Sequence, residues 1–216
     1  MTEAEWEATQ FPRRLLAALG DSLSVRKQRL LGVAACRLLP PEVLGGEATR
    51  LFESAERLAE RPDVTVTGKV LSHHLVGRRL SRRLCSLTAY RDGIEVAIRE
   101  MFRGDAMLVV GSLGRATGRI DPAGEFEHRD MPLSDVVRDI VGYPFRSIAF
   151  SPTWRTATTV AIAAGAYADR AFERLPVLAD ALEDAGCDSE PLLAHLRGPG
   201  PHARGCWALD AVLGKT

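Results

Sequence analysis

Residues 48–59 read ATRLFESAERLA, and this stretch decides the fold class of the chain. Apolar side chains recur in it every three or four residues, which places them on one stripe of an α-helix that turns once every 3.6 residues. Pro62-Asp63 then breaks the pattern. The stretch therefore predicts an amphipathic helix that packs its apolar stripe against other elements. That stripe consists of Ala48, Leu51, Phe52, Ala55, Leu58 and Ala59.

The same periodicity extends from this helix toward the start of the chain. Thr2 and Glu5 match a capping box, in which the two side chains satisfy free N–H groups at the start of a helix. Pro12 suits the first position of a second helix, where its missing N–H costs nothing. Ser24 is the expected N-cap of a third helix that ends at Pro40-Pro41. The N-terminal region is therefore predicted to be helical from its first residues.

The helical pattern continues beyond Pro62 and then fails once. Residues 66–103 predict two more helices, because apolar side chains keep the same spacing. From Asp105 to Asp130 the spacing is lost, and Met107-Leu-Val-Val110 is interpreted as a short strand or a buried turn followed by a glycine-rich segment. This part of the chain is predicted to be a long loop, a small hairpin or a domain boundary.

Helices are predicted again after this segment. One covers residues 133–141, entered through Pro132 and stopped by Gly142. The next, over about 153–172, is rich in alanine, and its small side chains predict a face that a neighbouring helix approaches closely. That face consists of Ala157, Ala161, Ala164 and Ala168.

The last part of the chain predicts three further helices. Pro176 opens the first, Ser189 caps the second, and the third covers about 204–213. The predicted fold is mainly α, a multi-helix bundle or stacked helical pairs with one irregular glycine-rich insert. The corresponding regions are 1–104, 105–131 and 132–216, which form either separate units or a single domain.

Composition narrows the class of protein. The 216 residues are 46% hydrophobic and 26% charged, which is typical of a globular domain. Lys and Arg total 28 and Asp and Glu total 28, so no general attraction to nucleic acid or to an anionic membrane is expected. The first residues lack a secretory signal and no apolar run is long enough to span a bilayer, so a cytoplasmic location is predicted.

The four cysteines lack a CxxC pair, which favours free and mostly buried thiols: Cys36, Cys85, Cys187 and Cys206.

Both ends of the chain carry motifs that resemble one bacterial family. The opening MTEAEW of residues 1–6 is one of them, and LPVLADALEDAGC of residues 175–187 is another. A third is LLAHLRGPGPHARGCW of residues 192–207. These motifs resemble an uncharacterised family abundant in planctomycetes, which implies bacterial relatives but no activity, cofactor or partner. Relatives often carry cysteine after the histidine, where this chain has Leu196.

Two cysteines and two histidines near the C-terminus are candidate metal ligands. Cys187, His195, His202 and Cys206 lie within one short segment, and Zn²⁺ accepts tetrahedral sets of two cysteines and two histidines. The spacing lacks the close cysteine pair that usually holds zinc. The alternative is that Cys187 ends a helix, His195 is an exposed helical residue and Cys206 packs as a small hydrophobic side chain.

Four arginines form a second candidate site. Arg78, Arg79, Arg82 and Arg83 fall on adjoining faces of a predicted helix, where their like charges repel one another unless an anion is bound. Phosphates of a nucleic acid or an acidic protein surface would serve as that anion. The alternative is that carboxylates of a neighbouring helix, such as Glu95 and Glu100, already neutralise them.

No catalytic residues are predicted. Gly111-Ser-Leu-Gly114 lacks the helix that a dinucleotide-binding loop needs after it, and no serine occupies a nucleophile elbow. The leading hypothesis is therefore a helical protein–protein interaction module that binds another protein and needs no cofactor. A zinc-stabilised domain or metal-dependent enzyme is the second hypothesis, and an anion- or nucleic-acid-binding helix is the third.

Overall fold

The computed structural model describes residues 1–39, 48–61, 96–97, 100, 105–117, 132–145 and 148–215. Within these ranges the chain forms ten α-helices and no strand, which confirms the predicted mainly α fold. The helices are α1 (Glu3–Ala8), α2 (Pro12–Leu19), α3 (Val25–Arg37), α4 (Ala48–Ala59), α5 (Ala106–Thr117), α6 (Leu133–Val141), α7 (Ala157–Asp169), α8 (Leu175–Asp184), α9 (Glu190–Arg197) and α10 (Trp207–Leu213).

The predicted starts of α1 and α3 are confirmed in detail, whereas Ser189 makes no side-chain cap hydrogen bond and the last helix begins at Trp207 rather than near residue 204. Thr2 and Glu5 form the capping box, with the Glu5 N–H donating to Thr2 Oγ1 at 3.2 Å and the Thr2 N–H donating to Glu5 Oε2 at 2.7 Å. Ser24 Oγ accepts a hydrogen bond from the Lys27 N–H at 3.3 Å, as expected for an N-cap. Local side-chain chemistry therefore sets where α1 and α3 begin.

The interpretation of Met107–Val110 as a strand or buried turn is wrong. These residues lie in α5, which begins after Asp105, whose Oδ1 accepts from the Leu108 N–H at 2.8 Å. The β-branched valines favoured the strand interpretation, but burial along the segment has a helical period. The buried apolar positions are Ala106, Val109, Val110 and Leu113.

The prediction for residues 153–172 also needs correction. The α-helix covers only Ala157–Asp169, between single 3-10 turns at Pro152–Trp154 and Phe172–Arg174. Its four predicted contact residues, Ala157, Ala161, Ala164 and Ala168, are all exposed. The helix instead buries Thr159, Ala163, Ala166 and Tyr167, because the larger Tyr167 side chain removes more apolar area from water than an alanine does.

The buried side chains form two hydrophobic clusters. The first, called the N-terminal core, combines α1, α2 and α3 with α5 and α6, and α3 also contacts α4. The second, called the C-terminal core, combines α7 to α10. The helix α6 contacts both α3 and α10, so it lies where the two cores meet. No helix in the described ranges has the length and apolar character needed to cross a lipid bilayer.

Candidate metal centre

Four polar side chains converge where the N-terminal core meets the C-terminal core. Asp139 comes from α6, His195 from α9, His202 from the loop after α9, and Cys206 from the N-cap of α10. One ligand atom from each residue lies within 4.8 Å of every other, and this is the group that the described residues offer to a metal ion. We call these four residues the Asp-His-His-Cys cluster.

The cluster is held by short contacts around a common point. Asp139 Oδ1 lies 3.1 Å from His195 Nε2 and 2.9 Å from His202 Nδ1. The same His195 Nε2 atom lies 3.2 Å from Cys206 Sγ. Asp139 and Cys206 are fully buried, whereas the His195 side chain keeps 20% of its surface exposed. The cluster is therefore an internal site that reaches solvent along one edge of His195.

Apolar packing of the helices places these side chains. The α6 residues Val136, Val137 and Ile140 are buried in the N-terminal core, which turns Asp139 toward the C-terminal segment. Leu192 and Leu196 of α9 are buried in the C-terminal core and fix the helix that carries His195. The hydrophobic effect thus supplies the free energy that brings the polar groups together.

Further hydrogen bonds fix the orientation of Asp139 and His202 through the atoms that face away from the other candidate ligands. Asp139 Oδ2, the oxygen that points away from the histidines, accepts from the Ala203 N–H at 2.9 Å. His202 Nε2 lies 3.2 Å from the Gly198 carbonyl oxygen, to which it donates when Nδ1 carries no proton. Metal-binding histidines usually make such a bond through their second nitrogen, because it fixes the tautomer and the ring orientation.

The spacing of the four atoms suits a tetrahedral Zn²⁺ ion. Zinc bonds of about 2.0–2.3 Å place neighbouring ligand atoms about 3.3–3.8 Å apart. The contacts of 2.9, 3.1 and 3.2 Å are slightly shorter than this, so a few tenths of an ångström of side-chain movement would admit the ion. Carboxylate oxygen, imidazole nitrogen and thiolate sulfur are all zinc ligands.

Burial and charge shift the pKa values of three of these groups. Burial acts to raise the pKa of Asp139, but hydrogen bonds from His195 and His202 outweigh it and bring the pKa below its usual value. Burial acts to lower the pKa of His202, but the hydrogen bond and charge of Asp139 raise it. Burial, reinforced by the Asp139 charge, raises the pKa of the Cys206 thiol well above its usual value. Without a metal ion, the cluster therefore holds a carboxylate beside a protonated thiol.

The same geometry argues against a cysteine nucleophile. A Cys-His-Asp triad needs one histidine nitrogen facing the thiol and the other nitrogen facing the carboxylate. Here His195 Nε2 faces both Cys206 Sγ and Asp139 Oδ1. A nucleophilic thiol also needs a lowered pKa, whereas that of Cys206 is raised. The arrangement can hold a cation but cannot relay a proton as a triad does.

The observed cluster differs from the predicted ligand set in one residue. His195, His202 and Cys206 come together as the metal hypothesis requires, but Cys187 is not part of the cluster. Cys187 is buried in the C-terminal core just after α8, where its N–H donates to the Leu182 carbonyl oxygen at 2.9 Å. Asp139 is the fourth member of the cluster. It lies far from the other three residues in the sequence, so no spacing pattern identified it as a candidate ligand.

The second predicted site lies outside the described residues. This holds for Arg78, Arg79, Arg82 and Arg83, for Cys85, and for Glu95. Glu100 is described and is buried, with 5% of its surface exposed. The anion- or nucleic-acid-binding helix therefore stays a prediction.

Comparison of the chain with protein-family models, with curated proteins and with solved structures finds no match. The proposed function therefore rests on the geometry of the Asp-His-His-Cys cluster alone.

Proposed function

We propose that this chain is a zinc-stabilised helical protein in which Asp139, His195, His202 and Cys206 bind one Zn²⁺ ion. The observation that supports the proposal is the convergence of four different ligand atoms within 4.8 Å of one another in a largely buried position. One His195 nitrogen cannot donate to the carboxylate and accept from the thiol at once, whereas a single bound ion would accept an electron pair from each of the four residues.

The ligand count favours a structural role for the ion. Catalytic zinc sites usually have three protein ligands and keep the fourth position for water or substrate, whereas structural sites have four. Four protein ligands from the cluster would close the coordination shell. We therefore prefer a zinc-stabilised domain to the metal-dependent enzyme that the sequence left open.

The position of the cluster indicates what the ion would stabilise. Asp139 belongs to the helix that packs into the N-terminal core, and Cys206 is buried in the C-terminal core. An ion bound to both would join the two cores and tie down the loop that carries His202. Because the ligands are brought together only by folding, the binding free energy would add to the free energy of folding.

Asp139→Asn is the most direct test of the proposed ligand set, with Asp135→Asn as its matched control. Both residues lie on α6, but the Asp139 side chain is 2% exposed and the Asp135 side chain is 50% exposed. We expect about one zinc per chain in the wild type and in Asp135→Asn when each is purified without chelator. Asp139→Asn is expected to lose most of its zinc, as measured by elemental analysis.

The two cysteines provide a second matched pair. Cys206→Ser is expected to remove the metal, and Cys187→Ser is expected to keep it, since only Cys206 belongs to the cluster. Addition of a chelator should lower the melting temperature of the wild type and of Cys187→Ser but leave that of Cys206→Ser unchanged. Equal metal content in the two variants would refute the proposed ligand set.

The protein–protein interaction module stays a separate prediction. Its test is a pull-down of the tagged chain from its native cells, followed by identification of retained proteins. A monomer that retains no partner at low salt would count against it. This outcome is independent of whether zinc is bound.

A further inference from the structure

One partly buried cation contacts the backbone beside two members of the Asp-His-His-Cys cluster. Lys27 lies in the first turn of α3, and 14% of its side chain is exposed. Its Nζ atom donates to the Ile140 carbonyl oxygen at 2.9 Å and to the Gly205 carbonyl oxygen at 2.6 Å. Ile140 follows Asp139 in the chain, and Gly205 precedes Cys206. Lys27 therefore connects two backbone segments that each carry a candidate ligand.

The Ile140 carbonyl is one that α6 itself leaves without a partner. The helix ends one residue later, and the last four carbonyl groups of an α-helix have no intrahelical N–H group to accept from. The Gly142 N–H donates to the Arg138 carbonyl oxygen at 2.8 Å, whereas the Ile140 oxygen accepts from Lys27. A positive charge is also favoured at this end of a helix by the helix dipole. Lys27 thus fixes the end of the helix that carries Asp139.

The Gly205 carbonyl reaches Lys27 because the loop before α10 lies directly on α3. Gly205 has φ 92°, a conformation that favours glycine. A Cβ atom at this position would lie 2.9 Å from Leu30 Cδ1, so a side chain there would push the loop away from α3. Leu30 is fully buried and lies one turn after Lys27 on the same helix. This contact sets the position of the peptide group that joins Gly205 to Cys206.

An ion pair holds Lys27 itself in place. Its Nζ atom lies 2.6 Å from Asp210 Oδ2, and the Asp210 side chain is 3% exposed. Buried Arg26 donates to both oxygens of the same carboxylate, at 2.8 and 2.9 Å. The three oxygens around Lys27 thus belong to α6, to the loop before α10 and to α10. None of them is a candidate ligand, so Lys27 does not need the metal ion to hold these segments in position.

Such contacts have a known effect on metal binding. Ligand atoms that are already fixed at the required separation lose less conformational freedom when the ion binds, and this raises the affinity. Removal of groups that orient metal ligands without touching the metal typically lowers the affinity about 10- to 100-fold. The contacts of Lys27 act on the backbone of Asp139 and of Cys206, which come from different helices and different hydrophobic cores.

We propose that Lys27 is a positioning residue of the zinc site, whose ammonium group fixes the backbone of Asp139 relative to that of Cys206 so that one ion binds both. The inference rests on the proposed zinc site. It assigns part of the affinity for zinc to a residue that does not touch the ion. A merely structural Lys27 would affect the stability of the fold and leave the zinc affinity of the folded chain unchanged.

Titration of the full chain with zinc against a competing chelator tests the inference. Lys27→Met keeps the length of the side chain but removes its charge and its donors, so zinc should bind about 10- to 100-fold more weakly. Arg155→Met is the matched control and should bind zinc as the wild type does. Arg155 also donates to two backbone carbonyls, those of Ala211 at 2.7 Å and Val212 at 2.8 Å, but these lie at the opposite end of α10 from Cys206.

A loss of stability alone would not produce this result. Zinc binds the folded chain, so a variant that stays about nine-tenths folded loses only about a tenth of its apparent affinity. Circular dichroism and urea unfolding give the folded fraction of each variant. Co²⁺ provides a second readout, because its visible absorption depends on the arrangement of its ligands. The Co²⁺ spectrum should change in Lys27→Met and stay that of the wild type in Arg155→Met.

Lys27→Arg keeps the inference testable if Lys27→Met does not fold. It retains a positive charge beside Asp210, but the donors of a guanidinium group lie in one plane and cannot replace a compact ammonium group between two carbonyls. It should fold and bind zinc at least about tenfold more weakly. Wild-type affinity in a folded Lys27 variant, or equal weakening in Arg155→Met, would overturn the inference and leave the zinc site standing. Absence of zinc from the wild type would overturn both.

Discussion

Cys36 and Cys206 are both fully buried, but their surroundings differ in kind. Cys36 lies in α3 and burial alone raises the pKa of its thiol to about 12. Cys206 faces His195 at 3.2 Å and belongs to a set of candidate ligands. Burial therefore makes the Cys36 thiol inert, whereas the polar neighbours of Cys206 make it a candidate metal ligand.

Cys36 is expected to resist alkylation in the folded protein. Only the thiolate reacts, and a rise of the pKa from 9.0 to about 12 lowers its fraction at pH 8 about a thousandfold. Iodoacetamide should leave the Cys36 peptide unmodified in the native state and label it fully in denaturant, as measured by peptide mass spectrometry. Equal labelling in the two states would show that α3 does not bury this side chain.

At the residue scale the sequence predicted three of the four residues of the Asp-His-His-Cys cluster. Histidine and cysteine are scarce in this chain, so the close spacing of His195, His202 and Cys206 predicts a candidate metal site. Asp139 is one of many acidic residues and borders the apolar stripe of its own helix, where a solvent-exposed carboxylate is the usual expectation. Its role depends on packing between distant segments, and no local pattern reports that packing.

At the element scale, Gly142 controls how α6 meets α10. It ends α6 with φ 77° and ψ −132°, a conformation that favours glycine. A Cβ atom at this position would lie 2.7 Å from Trp207 Cγ, and the Trp207 ring packs on His195 with 5.1 Å between centroids. The absence of a side chain at Gly142 thus allows Trp207 to pack against His195 of the Asp-His-His-Cys cluster.

Gly142→Ala is expected to destabilise the protein more than Gly20→Ala. Gly20 ends α2 with a similar backbone, φ 53° and ψ −130°, but nothing lies within 4 Å of a Cβ atom there. Backbone strain is therefore common to both variants, and only Gly142→Ala adds the clash with Trp207. We expect an additional loss of about 1–3 kcal/mol in the free energy of unfolding, measured in urea. Equal losses would show that Trp207 moves aside freely.

The helices could be predicted from the sequence where large apolar side chains form the buried stripe. The stripe of α4 is confirmed at Leu51, Phe52, Ala55 and Ala59, which are buried. The caps of α1 and α3 are confirmed because local side-chain chemistry decides them. Residues 107–110 were misread because valine favours strands, although their neighbours repeat with a helical period. The alanine face of α7 was misread because alanine carries too little apolar area to determine which face is buried.

At the scale of the whole molecule, a buried ion pair connects the first third of the chain to its last helix. Arg26 of α3 donates to both oxygens of Asp210 in α10, at 2.8 and 2.9 Å, and both side chains are less than a tenth exposed. Arg26 Nη2 also donates to the Tyr167 hydroxyl at 2.9 Å. The pKa of Arg26 is raised because Asp210 outweighs the effect of burial.

Asp210→Asn should be strongly destabilising. The substitution removes the carboxylate that accepts two hydrogen bonds from buried Arg26 and leaves Glu60 Oε1, at 3.2 Å, as its remaining counter-charge. Lys27 loses its ion pair with Asp210 at 2.6 Å as well. Removal of one member of a buried ion pair costs about 3–5 kcal/mol. Asp180→Asn is the control, because Asp180 is 70% exposed and its pair with Arg197 is worth about 1 kcal/mol or less. Urea unfolding of both variants measures the difference, and similar losses would contradict the importance of the buried pair.

The fold class followed from periodicity because each helix buries a stripe that its own residues define. The division into regions 1–104, 105–131 and 132–216 stays a prediction. The meeting of α6 with the C-terminal segment depends on contacts between residues more than fifty positions apart, such as Asp139 and His195. A single sequence contains no pattern that specifies such a contact.

Zinc X-ray absorption spectroscopy of protein purified without chelator tests the central claim most directly. We expect about one zinc per chain, with one sulfur ligand at about 2.3 Å and three nitrogen or oxygen ligands at about 2.0–2.2 Å. Protein without zinc, or a zinc shell that contains no sulfur, would contradict the account.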